Sequence, residues 1–228
     1  MKKITISSIV ISLMLLLGSN AHAQAIEAVY GIKYDDSGAA KAAIDEIFQD
    51  DAVSGTKVSL YVHDFGVPGN ATHTVVADYD SYAARDKLDT ALIGSHGWAR
   101  YELATQGSKS MSSELAIVVK DYGNARHEAG YLVAFSMQVR DPAAYVTALG
   151  KLNDAIGNPG VLRLVAIRSG LANVTHAVLV GGADFAATNA YLDKLFASDA
   201  YAAFNAEVAN NRTMLNVGMY RRVGHWGY

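Results

Sequence analysis

The residues best suited to chemistry occur twice in this chain. Asn70, Thr72 and His73 spell Asn-x-Thr-His-x-Val, and Asn173, Thr175 and His176 spell it again 103 residues later. An imidazole can donate, accept or bind a metal, so two of them placed by repetition near strand starts form a candidate ligand-binding or proton-transfer element. The spelling also has a purely structural use. Threonine and histidine at a strand start can hydrogen-bond neighbouring backbone, and asparagine in the preceding turn tolerates the left-handed conformation. A third histidine, His63, alternates with Val62 and Asp64 and shares a strand face with Ser59 and Tyr61. In the second half the corresponding face carries Arg163, Val165 and Ile167. If the more apolar faces pack against helices, then Ser59, Tyr61, His63, Lys33, Arg163, Ser136 and Gln138 point the other way. The candidate ligand-binding set is therefore His63, His73, His176, Tyr61, Arg163, Asn70 and Asn173.

Other chemistry has no visible carrier. There is no Gly-rich phosphate loop, no His-Glu-x-x-His zinc motif and no Gly-x-Ser-x-Gly nucleophile elbow. Asp35-Asp36 and Asp50-Asp51 lack the oxygen-ligand spacing of a calcium loop. No metal site, cofactor or catalytic residue is assigned on these grounds. His96 reads as a cap or a solvated residue, Arg126 and His127 as a solvated link, and the basic, aromatic end from Arg221 to Trp226 as a docked or frayed tail.

The elements that must position these residues repeat as well. Ile26 to Tyr34 alternates with period two, as a strand does, and Ala39 to Phe48 carries Ala40, Ala43, Ile44 and Ile47 on one helical face. Val58 to Phe65 and Thr72 to Asp78 read as strands joined by a turn with Pro68, Gly69 and Asn70. A helix in two pieces runs from Ser81 toward Gln106, and Leu115 to Lys120 is a strand. The order is βαββαβ. After a polar link it recurs. Tyr131 to Arg140 is a strand, Asp141-Pro142 starts a helix that reaches Ile156, and Val161 to Arg168 and Thr175 to Gly181 are strands. Asp184 caps a further helix, and Met214 to Arg222 is the last strand. At the offset of 103, Ala83, Leu92, Ser95 and Ala99 meet Ala186, Leu195, Ser198 and Ala202, and Tyr82, Trp98 and Tyr101 meet Phe185, Tyr201 and Phe204. The chain is an internal duplication, with Tyr82, Leu92, Phe185, Leu195 and Phe204 expected in the core.

A duplicated βαββαβ unit whose late helix breaks at Phe196-Ala197-Ser198-Asp199 before Tyr201 and Phe204 resembles the dimeric α/β-barrel superfamily, in a tandem two-repeat form. The resemblance implies an α+β fold of two ferredoxin-like repeats, residues 24–123 and 124–228, whose antiparallel sheets close one intrachain barrel. The polar strand face would then line that barrel. It further implies a small hydrophobic or aromatic molecule, or haem, held in the barrel or between sheet and helices. Three functions follow as expectations: a small-molecule-binding or stress-associated protein; a cofactor-independent monooxygenase-like enzyme with a buried His or Tyr as base; or a haem-binding protein with His73 or His176 as axial ligand. Fold alone does not choose among them. A barrel closed within one chain predicts a monomer or a weak homo-oligomer.

The N-terminus reads as an export signal, residues 1–23. Lys2 and Lys3 precede an apolar run from Ile9 to Leu17, and Ala21-His22-Ala23 has the small-x-small pattern read by signal peptidase. The run falls short of the roughly 20 residues that span a bilayer, so no membrane anchor is expected after cleavage, and the protein is expected to be periplasmic or secreted. The formal charge of −3 becomes about −5 once Lys2 and Lys3 are gone. No basic stripe remains to hold nucleic acid, whose phosphates require clustered cations. With no cysteine, a hydrophobic core must hold the fold without disulfides.

Overall fold

The computed structural model describes residues 24–67 and 69–228. Residues 1–23, read from the sequence as an export signal, and Pro68 lie outside the described residues. The first run of elements is β1 (Ile26–Lys33), α1 (Ser37–Ile47), β2 (Lys57–Phe65), β3 (His73–Tyr79), α2 (Tyr82–Leu92), α3 (His96–Ala104) and β4 (Lys109–Asp121). The second run repeats it: β5 (Tyr131–Val139), α4 (Pro142–Ile156), β6 (Val161–Ser169), β7 (His176–Gly182), α5 (Phe185–Phe196), α6 (Asp199–Val208) and β8 (Arg212–Trp226).

Each run forms a four-stranded antiparallel sheet, ordered β4-β1-β3-β2 and β8-β5-β7-β6, and the free edges join through β2·β8 and β4·β6 into one closed barrel. Closure leaves no unpaired sheet edge. Among the described residues six α-helices cover the outside. Their starts are local chemistry: Ser81 and Asp184 accept from Ala84 and Ala187 backbone N–H, and Ser95 and Ser198 accept from Trp98 and Tyr201. Asp141 caps α4, and Pro142, which has no N–H to leave unpaired, is its first residue.

Strand periodicity divides the side chains between two compartments. Residues of one parity pack under the helices. There α1 buries Ala40, Ala43, Ile44 and Ile47, and α4 buries Tyr145, Ala148, Leu149 and Leu152, each large aliphatic side chain contributing about 1.5–3 kcal/mol. The other parity points into the barrel. Among the described residues no helix is long and apolar enough to cross a membrane.

Three details differ from the sequence expectation. Leu195 and Phe204 are buried and Leu92 is half-buried, but Tyr82 is 43% and Phe185 50% exposed. Both aromatics are the first residues of their helices, just after the capping side chain. Helical side chains lean toward the N-terminus, so at that position the ring projects past the helix end instead of onto the sheet. Next, β4 begins at Lys109, six residues before the expected Leu115. Its first part, Lys109–Ser113, is serine-rich, exposed except for the half-buried Ser112, and held by backbone pairing to β1, so no hydrophobic alternation announces it. Finally, β8 extends to Trp226 because its end pairs with β2 across the barrel seam.

Candidate functional site

The barrel encloses a cavity of about 410 Å³. Its wall is apolar where β3, β5, β6 and β7 supply Val76, Leu132, Ala134, Val165, Ile167, Ala177 and Leu179. The hairpin segments containing Gly69 and Ala71, and Leu171 and Val174, contribute one end. The polar groups are few: Tyr61 and His63 of β2, Thr74 of β3, Ser112 and Glu114 of β4, Ser136 of β5, and Asn216 and Tyr220 of β8, with Glu27 and Arg126 at the other end. A concave apolar space with a few convergent polar groups has the make-up of a small-molecule site.

His63 is held in one tautomer. Its Nδ1 lies 2.9 Å from the Ala71 carbonyl, which can only accept, so Nδ1 carries the proton and Nε2 accepts from the Thr74 hydroxyl at 2.7 Å. Burial lowers its pKa, which keeps the imidazole neutral. The ring stands edge-on to Tyr220, with centroids 5.3 Å apart. Glu114 has no hydrogen-bond or ion-pair partner among the described residues, and burial pushes its carboxyl up to about 7. Burial, and then the nearby Glu114, push the Tyr220 hydroxyl up to about 12.

The far end is closed by ion pairs. Arg126 donates to Glu27 Oε1 at 3.0 Å, to the Tyr61 hydroxyl at 2.7 Å and to Asp78 Oδ2 at 2.5 Å. Arg163 grips Asp121 with two hydrogen bonds of 2.6 and 3.0 Å and reaches Glu27 at 2.5 Å. The C-terminal Tyr228 folds over this network, donating to Asp78 and lying 3.1 Å from the Ser59 hydroxyl. Burial alone would raise the Asp78 pKa, but Arg126, Tyr228 and Arg163 hold it below the ordinary carboxylate value.

The sequence candidates thus fall into three places. His63 and Tyr61 face the cavity together, as expected from strand parity. Arg163 also has inward parity, but its guanidinium is spent on Asp121 and Glu27. His73 and His176 sit on the opposite parity, under the helices, 2% and 6% exposed. There the repeated motif does the same work in both halves. The Thr72 hydroxyl receives the Tyr34 N–H and sits 2.7 Å from His73 Nδ1, while Thr175 receives the Val139 N–H and sits 2.9 Å from His176 Nδ1. The backbone of each threonine continues the ladder to the neighbouring strands, at Ile32 and His63 in one half and at Met137 and Ile167 in the other. Asn70 and Asn173 are exposed in the preceding turns, and Asn173 adopts φ 66° as the left-handed reading requires. The structure therefore brings His73 and His176 to neither each other nor the cavity.

Sequence reasoning missed Glu114, Tyr220 and Arg126. Glu114 was hidden in the unannounced start of β4. Arg126 is 2% exposed, not solvated, because the link winds as a 3-10 turn, Arg126–Glu128, across the end of the barrel. Inward parity at Glu27 and Asp78, opposite each other on β1 and β3, was the available signal that a buried cation must lie nearby.

Haem does not fit under the helices. The vacancy in the second sheet-helix layer is about 50 Å³, lined by core residues such as Met137, Tyr145 and Leu152 and not by His176, whereas ligand pockets run to about 300–1,000 Å³. His73 Nε2 is buried without a partner, and its ring is packed edge-on against Tyr34 at 5.2 Å. Neither histidine has room for a tetrapyrrole.

No protein-family model and no curated protein matches the sequence. Solved structures do. The chain is similar to a candidate monooxygenase from Lactobacillus acidophilus, over 89% of this chain and 95% of that one, at 12% identity and a TM-score of 0.60. It is similar to an anthrone oxidase-like protein over 90% and 93%, at 12% identity and 0.56. It is also similar to a candidate chlorite dismutase over 89% and 96%, at 14% identity and 0.52. At such identities the likeness is one of fold: the chain has the dimeric α/β-barrel fold in its tandem two-repeat form.

Proposed function

We propose that the protein takes up a small, largely apolar or aromatic molecule inside the barrel and orients it with His63, Tyr220 and Glu114. The observation that supports this is the cavity of about 410 Å³, apolar over most of its wall, with those three ionisable groups turned into it. A barrel interior filled by side chains would leave no such space, and Glu114, half-buried, has no hydrogen-bond or ion-pair partner among the described residues. Titration with the neutral fluorophore N-phenyl-1-naphthylamine tests the reading. Wild-type protein enhances the fluorescence saturably, and Ala134→Trp, which fills the cavity from β5, abolishes the enhancement while keeping a cooperative melt. Equal binding by the filled variant places the probe elsewhere and ends the proposal.

A second reading is favoured by Glu114 itself. A carboxyl with a pKa of about 7 is poised to accept a proton at neutral pH, and removal of a proton from an activated aromatic substrate is the first demand of cofactor-independent oxygenation. Proteins of this fold described as a candidate monooxygenase and as anthrone oxidase-like make that chemistry worth testing. Oxygen uptake with an anthrone, present in wild type and absent in Glu114→Gln, supports it. Uptake that is absent in wild type, or unchanged in the variant, removes it.

A further inference from the structure

The charges around the cavity bear on which molecule it takes, an inference that rests on the barrel-binding reading. Arg126 is the one cation among the described residues that line the cavity, and it is spent on Glu27, Asp78 and the Tyr61 hydroxyl. His63 is neutral and engaged at both nitrogens. What remains without a partner among the described residues is Glu114, together with Tyr220 and the Ser112, Ser136 and Asn216 side chains. Every one of these can accept a hydrogen bond, and the only formal charge they offer is negative. An anion entering this space would meet a carboxylate and no free cation. A protonated amine would meet a counter-ion and neutral acceptors at once.

We propose that the cavity selects an apolar molecule bearing one protonated amine, paired with Glu114, over neutral and anionic molecules of the same shape. The amine supplies the proton donors that the carboxylate lacks, and the apolar body fills the wall formed by β5, β6 and β7. Glu114 lies on β4 beside Tyr220 of β8, against whose ring His63 of β2 is packed, and the Glu27–Arg126 pair closes the other end of the cavity. Acidification protonates Glu114 and removes the counter-ion, while His63, its pKa lowered by burial, stays neutral, so amine affinity falls as pH is lowered through the neutral range.

The test is a calorimetric titration of the full chain with 2-naphthylmethylamine, 2-naphthylmethanol and 2-naphthoate at pH 8 and pH 6. At pH 8 the amine binds at least tenfold more tightly than the alcohol, and the naphthoate binds most weakly. Glu114→Gln brings the amine down to the affinity of the alcohol, and a cooperative melt shows that the variant is folded. Its loss of most of the pH dependence for the amine separates Glu114 from His63. If amine and alcohol bind equally and Glu114→Gln changes neither, this inference is overturned while barrel binding stands. If none of the three binds, the barrel-binding reading falls, and the inference falls with it.

Discussion

Replacing Arg126 by methionine probes the end of the barrel that closes the cavity, and the structure sets both the size and the pH dependence of the effect. The side chain is 2% exposed and makes three hydrogen bonds, two of them to carboxylates. Removing one partner of a buried ion pair costs about 3–5 kcal/mol, because the other charge is left without a partner. Glu27 keeps Arg163 at 2.5 Å, and Asp78 keeps the Tyr228 hydroxyl, so the lower end applies, about 3 kcal/mol at pH 8. For a chain of this size that is roughly 6–12 °C in melting temperature. In the wild type, Asp78 is held below its ordinary pKa, so it contributes stability above its unfolded value of about 3.9, and that contribution fades as pH falls through the lower folded value. Without Arg126 the burial of Asp78 is poorly opposed and its folded pKa rises. The penalty is then full at pH 8 and shrinks as pH falls toward the raised value, since the protonated acid is tolerated in the interior. Urea melts at pH 8 and pH 5 read the difference directly. A loss below about 1 kcal/mol, or an equal loss at both pH values, would refute the assignment of Arg126 as the electrostatic keystone of that end.

Phe204→Ala should cost about 3–5 kcal/mol, since the ring is buried against Tyr145 and beneath Arg212. Phe185→Ala should cost only about 0.5–1.5 kcal/mol, for its edge contact with Tyr131; equal losses in chemical denaturation would contradict their different burial. His73→Ala and His176→Ala should each lose about 1–3 kcal/mol from an unpaired threonine partner while leaving probe affinity per folded molecule intact. His63→Ala should do the reverse, and a melt and a titration on each variant decide. Sedimentation should show a stable monomer; an obligate dimer that unfolds on dissociation would count against the self-contained barrel. Mass spectrometry of protein from an expressing bacterium should find Gln24 at the N-terminus, because we propose cleavage after Ala23; retention of residues 1–23 would oppose it.

What was legible in the sequence was whatever burial and repetition write there. Alternation in β1, β2 and β5, the apolar face of α1, and the capping pairs Ser81 with Asp184 and Ser95 with Ser198 all follow from local rules, and duplication reports each of them twice. Those rules carry the fold as far as two βαββαβ units, and the closed barrel comes with the resemblance to the dimeric α/β-barrel superfamily. They do not carry the site, for a reason visible in the histidines. His73 and His176 stand out because they repeat, yet repetition marks what both halves need, and what both halves need is a Thr-His clasp where a strand begins under a helix. A group that serves one ligand in one shared cavity need not repeat. In the strand ladders Glu114, opposite Val29, has Gly218, opposite Ala134, as its counterpart, and His63 has Ile167, each donating its backbone N–H to the threonine of the repeated motif. The cavity is built where the two halves differ, so the departures from the repeat, once strand parity says they point inward, are the stronger guide to chemistry than the motif itself. Arg126 extends the argument: it belongs to the link between the repeats, where no periodicity operates, and only the inward-facing pair Glu27 and Asp78 indicates that a buried cation has to be supplied from somewhere else in the chain.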